Sequence, residues 1–268
     1  MTSKILRSFL FILLLLFIYI SCESTEKSEK SEPLAGWVSL FNGKDLKDWK
    51  IKIAGHELND NYKNTYRVEN GLLKVSYDEY DQFDDKFGLI FYKDKFSNYL
   101  LRVEYRFVGE QVAGAPDWAF KNSGIMIHCA PPESMTKDQK FPVCLEAQLL
   151  GGNGTDERHT GNVVCLGTKV VRKGQTTPED YLEVKSKTIH DDQWVTMELE
   201  VLGNKVIKYM LDGQLIVEFN NPQLDEENEN AKKLIKDGDI MLNEGYIALQ
   251  AESHPVEFRK IEILDLNK

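Results

Sequence analysis

The segment LLRVEYRF, Leu100 to Phe107, places Leu101, Val103, Tyr105 and Phe107 on one side of an extended chain and Arg102, Glu104 and Arg106 on the other. Side chains alternate across a strand with period two, so this run can bury its apolar members only as a strand. The pattern recurs along the chain. TYRVEN-G-LLKVSY, GLIFYK, NSGIMIHC, VCLEAQLL, NVVCLG, GYIALQAE and VEFRKIEIL are short runs separated by Gly, Asn and Asp turns. Such spacing predicts an all-β fold, a jelly-roll β-sandwich of two antiparallel sheets with one concave face open to a ligand.

Trp194 to Phe219 reads as three strands broken at Gly203-Asn204 and Asp212-Gly213, dipeptides suited to tight hairpins. A helical pattern is confined to Asp225–Lys236, where acidic residues lead and lysines follow. No internal repeat and no Pro/Ser-rich linker divides residues 34–268, so these are expected to form one domain.

The N-terminus has a different character. Lys4 and Arg7 precede an unbroken apolar run from Phe9 to Ile20, then Ser21 and Cys22. Twelve apolar residues are short of the about 20 a spanning helix needs, so residues 1–21 read as a signal peptide. The sequence Tyr19-Ile20-Ser21-Cys22 is similar to a bacterial lipobox, which makes Cys22 the expected acylation site. ESTEKSEKSEP, residues 23–33, offers nothing to bury and reads as a solvated tether. The expectation is a lipoprotein anchored to a membrane, periplasmic or on the outer-membrane surface.

The chain has 33 basic and 43 acidic side chains, and removing residues 1–21 takes only Lys4 and Arg7, which leaves a formal charge of −12. Such a surface repels phosphate backbones, and no nucleic-acid partner is expected. Besides Cys22, the cysteines are Cys129, Cys144 and Cys165. They either include one disulfide, with Cys129–Cys144 the first choice, or stay buried as free thiols.

Six segments together resemble the 3-keto-disaccharide hydrolase family: GWVSLFNGKDLKDW (Gly36 to Trp49), YLLRVEYRF (Tyr99 to Phe107), NSGIMI (Asn122 to Ile127), LEAQLL (Leu145 to Leu150), YMLDGQLIVEF (Tyr209 to Phe219) and GYIALQAESHPVEFRKIEI (Gly245 to Ile263). The resemblance implies a concanavalin A-like jelly roll and cleavage of 3-keto glycosides or 3-keto disaccharides. It also implies an upstream sugar 3-dehydrogenase that makes the substrate by oxidising the C3 hydroxyl. Some members look like lyases or hydratases. The chain departs from the pattern at His128 and Cys129, and at two added loops, Ala115 to Phe120 and Pro131 to Phe141.

In PVCLEAQLLGG, Glu146 and Gln148 share a strand face while Leu145, Ala147 and Leu149 share the other. A retaining jelly-roll glycosidase typically carries Glu-x-Asp-x-Glu here, and this chain has Glu146, Gln148 and Leu150. The second carboxylate that ordinary glycoside hydrolysis requires is missing from the strand. A 3-keto sugar removes that requirement, because the ketone acidifies the C2 proton and one base can start elimination of the C1 substituent; water then adds to the enone.

The expected catalytic residues are Glu146, as base or metal ligand, and His254 in the ESHPV segment. Gln148 would donate to substrate, Glu104 and Arg106 would line a neighbouring polar face, and Asn122, Gln250 and Arg259 would complete the patch. Glu104 with Arg106 equally suits a cross-strand ion pair on a solvated face. His128 is a candidate acid or ligand, or a core histidine. A divalent metal held by Glu146 and a histidine is one option, without any compact motif such as HExxH. His56, His159 and His190 sit in polar turns and receive no role.

Trp37, Trp49 and Trp194 lie in strand-like apolar contexts that assign them to the core. Trp118, in the GAPDWAF insertion, is the exposed stacking residue expected for a sugar. A carbohydrate-binding surface lipoprotein without catalysis is the alternative function. Glu146 within a polar cluster favours the enzyme.

Overall fold

The computed structural model describes residues 36–177 and 180–267, so the leader, Cys22 and the tether lie outside the described residues. In chain order the strands are β1 (Val38–Ser39), β2 (Trp49–Ile53), β3 (Tyr66–Glu69), β4 (Leu72–Val75), β5 (Gly88–Phe96), β6 (Asn98–Phe107), β7 (Asn122–Cys129), β8 (Cys144–Leu150), β9 (Asn162–Leu166), β10 (Thr168–Arg172), β11 (Gln175–Thr176), β12 (Tyr181–Leu182), β13 (Val195–Leu202), β14 (Val206–Leu211), β15 (Gln214–Leu224), β16 (Gly245–Ala251) and β17 (Val256–Asp265). They form two antiparallel sheets. The larger runs β11-β10-β15-β14-β13-β6-β17-β4-β3 with β1 added at β17, and the smaller runs β12-β9-β8-β7-β16-β5-β2.

Local chemistry sets the hairpins. Leu211 pairs with Gln214 across Asp212-Gly213, and both loop residues have positive φ, 46° and 79°. That is the mirror-image turn whose twist matches paired strands. The Trp194–Phe219 meander forms as expected, and β15 continues past Phe219 to Leu224 so that it can pair with β10.

Between the sheets lies one apolar core. Leu101, Val103, Tyr105 and Phe107 of β6 meet Leu145, Ala147 and Leu149 of β8, all buried. Each such side chain contributes about 1.5–3 kcal/mol of transfer free energy, which fixes which face of each strand turns inward. The inward face of β8 forces Cys144, Glu146 and Gln148 to the outer face of the smaller sheet.

Two expectations are corrected, the extent of the helix and the core placement of Trp37 and Trp194. The Asp225–Lys236 pattern forms only a single helical turn, α1 (Glu229–Lys232), capped by Asn228 Oδ1 accepting from the Asn230 and Ala231 amides at 3.0 and 3.1 Å. Ala231 is buried there, and Leu234 and Ile235 pack with it beside Val143 and Leu224 instead of extending the helix. Trp37 and Trp194 are not core residues. They lie half-buried on the outer face of the larger sheet under guanidinium groups, Arg102 at 4.5 Å from Trp37 and Arg106 and Arg259 at 4.6 and 4.4 Å from Trp194. Trp49 is buried as expected. Cys129, Cys144 and Cys165 are all buried free thiols.

Candidate active site on the smaller sheet

Register builds the site. Gln148 of β8 pairs with Gly124 of β7, and Glu146 with Met126. On the far side of β7, Met126 pairs with Ala248 of β16. Strand alternation therefore sets Glu146, Gln148, Gly124, Asn122, Gln250 and Glu252 on one face of three adjacent strands. Gly124 is the low point of that patch. A Cβ there would lie 2.5 Å from Glu146 Oε1 and 2.8 Å from its Cγ and Cδ, so the Glu146 side chain runs across the space the glycine leaves open.

Glu146 and Glu252 are each 4% exposed. Burial pushes the Glu146 carboxyl well above the ordinary range, and the nearby charge of Glu252 pushes it further. Burial raises Glu252 as well, while the Arg158 guanidinium pulls it back down. Gln250 Nε2 donates to Glu252 Oε1 at 3.2 Å. The carbonyl oxygens Asn122 Oδ1 and Gln250 Oε1 are buried without a hydrogen-bond donor. A buried acceptor left unpaired costs about 1–3 kcal/mol, which a hydroxyl arriving from a ligand would recover.

On the face that carries Gln148 and Asn122 opens a cleft of about 490 Å3 whose lining includes Trp118, Asn122, Gln148, Arg158, Asn162 and Tyr181, with Glu146 and Glu252 buried outside that lining. Asn162 Nδ2 donates to Gln148 Oε1 at 3.2 Å, which fixes the amide so that its NH2 group is the end left for a ligand. Arg158 holds the rim: it donates to the carbonyls of Phe120, of Gly151 at 2.9 Å and of Trp118 at 2.8 Å. Trp118 itself is 56% exposed, on a turn of 3₁₀ helix at Asp117–Ala119, with its ring stacked on Phe87 at 5.9 Å and 5°.

Residues 36–264 match the family described as a 3-keto-alpha-glucoside-1,2-lyase-like domain. The chain belongs to the 3-keto-disaccharide hydrolase family. It is accordingly a carbohydrate-active protein of the kind that acts on glycosidic bonds. Among solved structures, it is similar to a Parabacteroides distasonis ATCC 8503 protein named as a candidate glycosyl hydrolase, with 18% identity, a TM-score of 0.50 and 86% of this chain and 99% of that one covered. It is also similar to a Bacillus subtilis protein of unknown function with a galectin-like fold, with 12% identity, a TM-score of 0.52 and 85% and 94% covered. At these identities the likeness shows the jelly-roll fold. No curated protein matches the chain.

Within this family member, Glu146, Gln148, Asn122 and Gln250 come together as the sequence predicts, and Trp118 stands at the cleft rim. Other expected residues lie elsewhere. Glu104, Arg106 and Arg259 belong to β6 and β17 of the larger sheet. Glu104 pairs there with Arg259 and, at 3.0 Å, with Lys260, and Arg106 pairs with Glu257 at 2.7 Å. They form an ion-pair face as the alternative allowed, but with Glu104 on Arg259 and Arg106 on Glu257 instead of on each other.

His128 is turned off the Met126 face by a register shift between β16 and β7 and by its own positive φ of 51°. Its Nε2 lies 3.2 Å from the Gly203 carbonyl, in a turn of the opposite sheet, and burial lowers its pKa to about 4. His254 is 1% exposed and packs edge-on between Phe107 and Phe120, with neither ring nitrogen hydrogen-bonded. Burial, then Lys121, lowers it to about 4. Among the described residues, no group of three or more His, Cys, Asp or Glu side chains able to hold a metal ion is found.

Glu252, Arg158, Asn162, His159 and Tyr181 are the site residues that sequence reasoning missed. Glu252 follows Gln250 by two positions, and period-two alternation carried one step past the apparent strand end would have found it. Arg158 and His159 sit in a polar turn whose composition resembles any solvated loop.

Proposed function

We propose that the protein cleaves 3-keto glycosides by removing the C2 proton and eliminating the C1 substituent, after which water adds to the enone. The carrying observation is the buried carboxyl pair Glu146 and Glu252 on the same sheet face as the cleft residues Gln148 and Asn122. Burial pushes both carboxyls up, Glu252 to about 8, and the charge of Glu252 pushes Glu146 further, so Glu252 is the first of the two to ionise as pH rises. Arg158 favours the charge on Glu252, so Glu252 is the carboxylate that takes the C2 proton. Glu146, the more strongly raised, keeps the proton and delivers it to the leaving oxygen at C1.

This reverses the role expected for Glu146 from sequence and supplies the second carboxyl from another strand. As the C2–H bond breaks, its electron pair forms the C2–C3 enolate and charge collects on the C3 oxygen. The Gln148 NH2, oriented by Asn162, is the donor for that oxygen. The enolate then expels the C1 substituent with the Glu146 proton, leaving an enone. Hydration of the enone at C1 releases the 3-keto sugar.

Supply of the substrate needs an enzyme that oxidises the sugar's C3 hydroxyl, and acylated Cys22 would hold the domain at the membrane on the tether of residues 23–33. Metabolic labelling with an alkyne fatty acid tests the anchor, with the label expected on wild-type protein and lost on Cys22→Ser.

The test of the reaction is incubation with a chemically prepared 3-keto glucoside in D2O, followed by NMR. Cleavage with deuterium entering C2 is expected, lost in Glu252→Gln and at least a hundredfold slower in Glu146→Gln. Cleavage without exchange would overturn the elimination, and binding without cleavage would make the protein a lectin. Activity measured before and after EDTA treatment decides any need for a divalent metal.

A further inference from the structure

Two surface turns share the pattern Asn-Gly-x-Asp: Asn42-Gly43-Lys44-Asp45 and Asn153-Gly154-Thr155-Asp156. In both, the asparagine side chain folds forward onto its own turn. Asn42 Oδ1 accepts from the Lys44 and Asp45 amides at 2.7 and 3.0 Å, and Asn42 Nδ2 donates to Asp45 Oδ1 at 2.8 Å. Asn153 Oδ1 accepts from the Thr155 and Asp156 amides at 3.0 and 2.9 Å and from Thr155 Oγ1 at 3.2 Å, and Asn153 Nδ2 donates to Asp156 Oδ2 at 2.7 Å. Both asparagines are exposed.

The turns differ at the glycine. Gly154 N donates to His190 Nδ1 at 3.1 Å, so that ring nitrogen carries a lone pair and the imidazole is a base in contact with the amide. The ring reaches this position because Gly152 has no side chain; a Cβ there would collide with His190 Nδ1 and Thr188 Cγ2. Gly154 has a φ of 97° and open space on its Cα, a conformation that other residues disfavour. Gly43 has no such base. Among the described residues, the ring nitrogens of His56, His128 and His159 bond to Asp60, Gly203 and Ser186, and His254 packs between Phe107 and Phe120.

We propose that Asn153 is a self-modification site, converted through a cyclic imide to aspartate or isoaspartate with His190 as the general base. The Gly154 nitrogen attacks Asn153 Cγ, and its proton passes to His190 Nδ1. Ring closure is intramolecular, with nucleophile and electrophile on neighbouring residues. Charge gathers on Asn153 Oδ1, which already holds three donors. The Cγ–Nδ2 bond then breaks, and Nδ2 takes the proton back from His190 and leaves as ammonia. One water molecule opens the imide at either carbonyl, giving aspartate or isoaspartate. No other reactant is needed.

Asn153 lines a cleft of about 420 Å3 together with Asp117, Trp118, Asp156, Glu157 and Arg158. Either product adds a fourth carboxylate to that lining, and isoaspartate also adds a methylene to the backbone of the turn that carries Arg158. The rim therefore acquires negative charge as the protein ages. This modification is independent of the reaction at Glu146 and Glu252.

The test incubates wild-type protein in 18O-labelled water and follows the peptides carrying Asn42 and Asn153 by mass spectrometry. Heavy oxygen should enter at Asn153 about tenfold faster than at Asn42, the internal control with the same turn and no base. His190→Ala should bring Asn153 within about twofold of Asn42, and added imidazole should restore part of the rate at Asn153 alone. Equal rates at the two turns in wild-type protein would overturn the proposal. So would an unchanged or faster reaction at Asn153 in His190→Ala, the result expected if the ring merely shields the amide, or a loss that imidazole does not rescue. The wild-type comparison needs no variant, so it decides even where His190→Ala fails to fold.

Discussion

The carboxyl of Glu146 fills the space that a side chain at Gly124 would need, and from there it senses the charge of Glu252 just past the end of β16. One glycine thus positions an acid that the β8 backbone alone would leave standing over Met126. Gly124→Ala sets a methyl group where the Glu146 carboxyl now lies. The strand tolerates alanine, so Tm should move by a few degrees while kcat falls about a hundredfold, the usual effect of an ångström-scale misplacement. Steady-state kinetics with a thermal melt checks it; unchanged kcat would mean the Glu146 position is irrelevant to turnover.

Glu252→Gln removes the like charge that helps hold Glu146 up. Turnover should fall by about 10²–10⁴ with the loss of the base. The alkaline limb of the residual pH–rate profile should move to lower pH, because Glu146 then loses its proton more easily. An alkaline limb that stays in place would separate the two carboxyls.

The same pair makes stability depend on pH. Glu146 in the folded protein holds its proton at pH values where the unfolded chain, with a value near 4.3, has released it. The stabilisation is full below that unfolded value and is lost as pH rises through the folded one. Glu146→Gln stays neutral throughout. Its Tm relative to wild type should therefore climb as pH rises above about 5, and a difference that stays constant with pH would contradict the raised pKa.

On the opposite sheet, burial favours the protonated form of Glu104, but Arg259 and Lys260 outweigh it and lower the pKa. These are partly exposed ion pairs, each contributing about 0.2–1 kcal/mol. Glu104→Gln with Arg259→Gln should cost no more than about 1 kcal/mol in denaturant melts and leave kcat/KM within twofold. A tenfold loss of kcat/KM would return these residues to the site.

Alternation made the strand faces readable, and so Glu146, Gln148, Asn122 and Gln250 could be grouped before any coordinates. Sheet membership was not readable, because β6 and β17 alternate just as β7 and β8 do. That is why Glu104, Arg106 and Arg259 were drawn into the wrong patch. His128 was misplaced by a bulge, a one-residue shift that reverses facing and that Ile127-His128-Cys129 does not announce. Arg158 escaped notice because its role lies in backbone carbonyls, which every residue carries and no side-chain pattern reveals.

The Trp118 turn is held by Arg158 from outside the sheet, whereas Glu146, Gln148, Gly124 and Gln250 are set by strand register. The register-set face and the rim held by Arg158 therefore lie on separate parts of the chain. Loop 115–120 and the 153–158 turn are short surface segments outside the strands, tied to each other by the Arg158 bonds to the Trp118 and Phe120 carbonyls. A library confined to those segments, selected on different 3-keto disaccharides, is the direct route to new specificities from this scaffold.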